Sequence, residues 1–157
     1  MRILITGTSS GIGKGIAEKF LSEGHCVTGF DRKEATIQHA NYTHISMDIR
    51  DKAHYPALEP FDIVINNAGV QNEEDIDINL KGTIAITETY AIHPGIRAVL
   101  MIGSASGHNG SEFPEYVVIR NSELSGTWFV IPFVPFSYKN KFPITFCLFL
   151  IFPNDDI

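Results

Sequence analysis

A chain of 157 residues with 44% apolar and 19% charged residues can build a hydrophobic core, which excludes wholesale disorder. Its net charge of −6 excludes electrostatic attraction as a route to nucleic acid or anionic membranes. Two cysteines, Cys26 and Cys147, are too few for a disulfide scaffold, and neither belongs to a metal-spaced cluster, so no metal site is expected.

Met1 to Gly7 enters a strand-like run and a glycine turn at once, without the apolar stretch and cleavage site of a signal peptide. The expectation is a cytoplasmic protein. Ile3-Leu4-Ile5 is a short apolar run closed by glycine, as a buried parallel strand requires. Ile12, Ile16, Ala17, Phe20 and Leu21 then recur at helical spacing, and Gly24 stops the pattern. Val27 to Phe30 predicts a second strand ending at Asp31. A third follows at Tyr42 to Ser46, then Asp48 and a polar helix-like stretch to about Leu58. Asp62 to Ile65 predicts a fourth strand running into Asn66-Asn67-Ala68-Gly69. Ile76 to about Ala91 predicts a helix, and Ala98 to Ile102 a fifth strand followed by Gly103 and Ser104. This alternation is the pattern of an α/β fold, a Rossmann-like doubly wound parallel sheet.

Composition changes late in the chain. Twelve of the 13 glycines lie at or before Gly110, whereas seven of the 11 phenylalanines lie in the last 29 residues. Residues 1–120 therefore read as the sheet-forming core and 121–157 as an atypical hydrophobic tail. Pro132 and Pro135 would break a helix there. Neither apolar stretch of the tail reaches the roughly 18 residues of a membrane span, and Lys139 and Lys141 separate them. On this reading the sheet is incomplete on its C-terminal side.

In such sheets ligands collect at the carboxyl ends of the strands, where Gly7, Asp31, Asp48, Asn67 and Ser104 fall. Thr6-Gly7-Thr8-Ser9-Ser10-Gly11-Ile12-Gly13 stands between a predicted strand and a predicted helix. Its glycines let the backbone turn sharply beside a pyrophosphate, and the helix N-terminus offers N–H donors. The spacing is Gly-x3-Gly-x-Gly, not the Gly-x-Gly-x2-Gly of the commoner motif. Asp31 suits a ribose diol and would repel a 2′-phosphate, which favours NAD over NADP. Arg32 and Lys33 act against that preference, because a nearby cation accommodates the extra phosphate. Ser10 is uncharged and adds no phosphate clamp.

The set Thr6 to Gly13, Asp31, Asp48, Asn66 to Gly69, Asp77 to Gly82, Ser104 and Tyr116 resembles the short-chain dehydrogenase/reductase family, in order, over about three-quarters of the chain. The resemblance implies hydride transfer between NAD(H) and a small carbonyl or alcohol substrate. It implies a cofactor site of Gly7, Ser9, Ser10, Gly11, Ile12, Gly13, Asp31, Asp48, Ile49, Asn67, Ala68, Gly69, Tyr116 and Arg120. Asp48 would meet the adenine amino group and Ile49 would line the ring. It assigns catalysis to Asn79, Ser104, Tyr116 and the residue four beyond the tyrosine, here Arg120. Tyr116 would exchange a proton with the substrate oxygen, Ser104 would hydrogen-bond that oxygen, and Asn79 would hold a relay water. Ser106 is the alternative to Ser104, while His108 and Asn109 read as loop residues. A tyrosine titrates near 10, so lowering it by three units takes about 4 kcal/mol. The family uses a lysine for this. Arg120 keeps the charge in a bulkier planar fork, which leaves an NAD-binding protein without turnover, or a non-functional truncated product, as alternatives to an enzyme. Family dimers pair through helices, so a homo-oligomer is the partner expected besides substrate.

Overall fold

The computed structural model describes residues 1–70, 74, 76–103, 128–132 and 147–151. The expected strands form as β1 (Arg2–Thr6), β2 (Cys26–Asp31), β3 (Tyr42–Ser46), β4 (Ile63–Asn66) and β5 (Ala98–Ile102). They pair in parallel in the order β3-β2-β1-β4-β5. The chain winds outward from β1 through β2 to β3, then returns to lay β4 against the other edge of β1. That reversal opens a crevice at the carboxyl ends of β1 and β4, the usual ligand position in open α/β sheets.

Side-chain alternation divides the core between the two sheet faces. Ile3, Ile5, Val27 and Ile65 pack with Ala17 and Leu21 of α1 (Gly11–Ser22). Leu4, Phe30, Val64 and Val99 pack on the other face with Ile86 and Tyr90 of α2 (Thr83–Tyr90). Gly24, at φ +81°, supplies the left-handed turn that ends α1.

Two expectations from periodicity are corrected. The stretch after Asp48 holds only a 3₁₀ turn at Lys52–His54, because Pro56 and Pro60 cannot sit within a helix and disfavour it before them. The helix expected from Ile76 to Ala91 is divided into a π-helix, Ile76–Gly82, and α2. Apolar spacing over two turns does not separate these two helical pitches.

The tail contributes β6 (Trp128–Pro132) and β7 (Cys147–Ile151). β7 pairs antiparallel with β5, Val99 opposite Ile151, and β6 pairs antiparallel with β7. Among the described residues, no helix is long and apolar enough to cross a membrane.

Candidate functional site

The crevice is fastened across the sheet by Thr6. Its Oγ1 accepts the amides of Asn67 at 3.0 Å and Ala68 at 2.9 Å. Asn67 Nδ2 returns bonds to the carbonyls of Thr6 at 2.9 Å and Gly7 at 3.2 Å. The Asn66-to-Gly69 turn thereby locks onto the glycine loop. Gly7, at φ +77°, donates its amide to the Phe30 carbonyl at 2.7 Å. A Cβ on Gly13 would collide with the Gly7 carbonyl and Asn67 Nδ2, so this helix start closes tightly only with glycine.

The N-terminus of α1 opens to solvent. Ser10, Gly11 and Ile12 are exposed, Ser10 is extended with no side-chain cap, and the first turn carries no acidic residue. First-turn amides have no partner within their own helix and carry the positive end of its dipole. This donor set fits a pyrophosphate.

Asp31 ends β2 beside that loop. Oδ2 accepts the Ser9 amide at 2.8 Å and Oδ1 the Lys33 amide at 2.9 Å. Each oxygen keeps a further lone pair, the chemistry a ribose diol needs. Ser9 itself is buried and fully engaged. Its hydroxyl donates to the Glu34 carbonyl at 2.9 Å, and its own carbonyl accepts the Thr36 hydroxyl at 2.9 Å. Ser9 thus fastens the loop after β2 over the glycine turn.

Asp48 is held by Arg50. Nε lies 3.0 Å from both carboxylate oxygens, Nη2 lies 2.6 Å from Oδ2, and the Arg50 amide reaches Oδ1 at 3.0 Å. Arg32 Nη1 lies 3.8 Å from Oδ2. These hydrogen bonds, Arg50's side chain foremost, hold the Asp48 carboxyl below its ordinary range, and Asp48 in turn raises the Arg50 guanidinium. Arg50 Nη1 also reaches Glu74 at 2.6 Å, bridging the end of β3 to the lead-in of the π-helix. Ile49 is buried in the core against Gly82, where a Cβ would crowd it at 2.8 Å.

Asn79 lies in the π-helix next to Gly69. Its side chain exchanges two bonds with the Val70 backbone, each 2.8 Å. Asn66 Nδ2 donates to Thr87 Oγ1 at 3.0 Å, which ties β4 to α2. Ser104, Ser106, His108, Asn109, Tyr116 and Arg120 lie outside the described residues. The structure thus brings Gly7 to Gly13, Asp31, Asn67 to Gly69 and Asn79 around one crevice, with Asp48 at the end of β3. Sequence reasoning missed the working roles of Thr6, Val70 and Arg50. Only Thr6 carried a signal, as a hydroxyl closing an apolar strand.

The description "short chain dehydrogenase" fits residues 1–114, well over half of the chain. The chain belongs to the short-chain dehydrogenase family. An uncharacterized protein of Mycobacterium tuberculosis is 29% identical over an alignment covering 90% of this chain and 18% of that protein. The NADP-dependent 3-hydroxy acid dehydrogenase YdfG of Escherichia coli K12 is 28% identical, over 68% of this chain and 55% of that enzyme. This short-chain dehydrogenase chain therefore spans about half, or less, of the curated relatives it matches. Serine dehydrogenase in its closed form with NADP+ superposes with a TM-score of 0.62 at 26% identity, covering 76% of this chain and 62% of that one. A short-chain dehydrogenase from Leptospira borgpetersenii with bound NAD+ shares the fold, with a TM-score of 0.61 at 21% identity over 74% of this chain and 59% of that one. The family's relatives thus include NAD(P)-dependent dehydrogenases, and both cofactors occur among them.

Proposed function

We propose that this chain binds NAD(H) across the carboxyl ends of β1, β2 and β4 and exchanges hydride with a small carbonyl or alcohol substrate. The observation that carries the reading is the solvent-facing N-terminus of α1 beside Asp31, with no acidic residue in the helix's first turn. Backbone amides at Gly11 to Gly13 would take the pyrophosphate, and Asp31 would accept the adenosine ribose hydroxyls. A 2′-phosphate would place about −1.5 to −2 charges beside Asp31 if it titrates like other phosphate monoesters. Arg32, one of the two cations that could offset it, is turned toward Asp48. This supports NAD over NADP, although YdfG is described as NADP-dependent.

When bound, the nicotinamide gives or takes the hydride. Tyr116 moves the proton at the substrate oxygen, Ser104 hydrogen-bonds that oxygen, and Arg120 supplies the positive charge that favours the phenolate. Asn79 holds a relay water while its side chain remains bonded to Val70. Calorimetric titration with NAD and NADP tests the binding step. The expected result is tighter binding of NAD, and no binding of either sinks the reading. Arg120 in place of the family's lysine favours a second reading, a dinucleotide-binding protein without turnover. Hydride-transfer assays on the parent, Tyr116→Phe and Arg120→Lys separate the two. Activity in the parent that is lost in Tyr116→Phe supports the enzyme, and inactivity throughout supports the binder.

A further inference from the structure

Thr8 is fully buried beneath the glycine loop, and its Oγ1 lies 2.8 Å from Tyr42 Oη. Tyr42 Oη lies 3.0 Å from His44 Nδ1, and His44 Nε2 lies 2.9 Å from the Lys33 carbonyl. Gly29 makes room for this chain of contacts, since a Cβ there would collide with Thr8 Oγ1 and Tyr42 Oη. A backbone carbonyl only accepts, so His44 Nε2 carries a proton and donates it. With neutral His44, Nδ1 then accepts from Tyr42, and Tyr42 accepts from Thr8. Three hydrogens serve three bonds. Burial outweighs the opposing hydrogen bond from Thr8 and, with a smaller push from the charge of Asp31, holds the Tyr42 phenol above its ordinary range, so Tyr42 keeps its proton.

We propose that Thr8, Tyr42 and His44 form a hydrogen-bond wire that ties the shape of the glycine loop, and so its dinucleotide affinity, to the charge of His44. Protonating Nδ1 puts four hydrogens on three bonds. His44 then donates to Tyr42, Tyr42 must turn its hydrogen toward Thr8, and the Thr8 hydrogen is left over. Thr8 Oγ1 makes no other hydrogen bond among the described residues. A buried donor without an acceptor is costly, and this one lies one residue beyond Gly7. His44 is half-buried at the outer strand of the sheet, so solvent protons reach it. The charged groups around the wire are Asp31 at the end of β2, and Lys33 and Glu34 on the loop after it. Lys14 of α1 reaches that same loop at the Thr36 carbonyl. Residues 7–10, which carry Thr8, contribute no titratable side chain.

The affinity part of this proposal rests on the NAD(H) reading, whereas the wire itself does not, and the test keeps them apart. NMR of the 15N-labelled full chain follows the His44 ring and the Gly7, Thr8 and Ser9 amides with pH, while NADH fluorescence gives the dissociation constant over the same range. Loop amides that shift with the His44 midpoint, and an NADH dissociation constant rising about tenfold below it, the scale of one unpaired buried donor, are expected. Tyr42→Phe, which cuts the wire, should flatten both responses, as should the non-titrating His44→Gln. Loop amides that ignore His44, or that follow it equally in Tyr42→Phe, overturn the wire. Amides that follow His44 while NADH binds equally at all pH overturn the coupling to affinity. Amides that follow it without NADH binding at any pH leave the wire standing and overturn the NAD(H) reading instead.

Discussion

Asn79 and Val70 are joined twice. The Val70 amide donates to Asn79 Oδ1 and Asn79 Nδ2 donates to the Val70 carbonyl, both at 2.8 Å. One side-chain amide thus does for an irregular loop what a neighbouring strand does within a sheet. Because Val70 follows the Asn66-to-Gly69 turn, the pair fixes that turn relative to the π-helix. A residue expected to serve a proton relay therefore also positions the wall of the crevice.

Asn79→Ala removes both part-buried bonds to the Val70 backbone. A loss of about 1–3 kcal/mol in unfolding free energy is expected by urea denaturation. Asn79→Asp keeps the acceptor for the Val70 amide but sets a carboxylate against the Val70 carbonyl. At neutral pH it should be no more stable than the alanine variant, and less stable than the parent.

Thr6 is 1% exposed and serves two backbone amides at once. Thr6→Val preserves shape and leaves both without their acceptor, at an expected cost of about 2–4 kcal/mol. Thr6→Ser, which keeps the oxygen, should recover most of that stability. If the two variants melt together, Thr6 contributes packing and not hydrogen bonding.

Gly13 and Gly15 lie two residues apart in α1 and should respond in opposite directions. A Cβ at Gly13 meets the Gly7 carbonyl and Asn67, whereas a Cβ at Gly15 meets nothing within 4 Å. Gly15→Ala should stabilise the chain by about 0.5–1 kcal/mol through helix propensity. Gly13→Ala should destabilise it and abolish dinucleotide binding. Thermal melts and titration of NAD read both effects.

The Asp48 carboxyl is held below its ordinary value by Arg50, so the folded state binds its proton less readily than the unfolded chain does. The resulting stability is present above the unfolded pKa of about 3.9 and is lost as pH falls through the lower folded value. Arg50→Gln should therefore lower stability at neutral pH while matching the parent more closely at the acid end. Denaturation midpoints of both proteins from pH 7 to pH 2 measure the convergence. Added salt should shrink the neutral-pH difference, because the pair is partly exposed.

The sequence by itself determined the strands, the glycine loop and the placing of Asp31 at a strand end. Short apolar runs such as Ile3 to Ile5 are buried on both sheet faces, and burial leaves its mark on composition residue by residue. Gly7 and Gly13 were legible because no other residue satisfies the backbone there. Only the tertiary structure decided which polar groups meet. Thr6 reaches Asn67 across 61 positions and Thr8 reaches Tyr42 across 34. Arg50 reaches Glu74 across 24, and nothing local announces any of these partners. Hydropathy records whether a side chain leaves water, while a hydrogen bond depends on two groups brought together by the strand order β3-β2-β1-β4-β5. The division of the Ile76 to Ala91 helix was hidden for a related reason. Its apolar spacing fits either helical pitch, and the residues before it are tied by contacts distant in sequence, Val70 to Asn79 within the π-helix and Glu74 to Arg50 outside it.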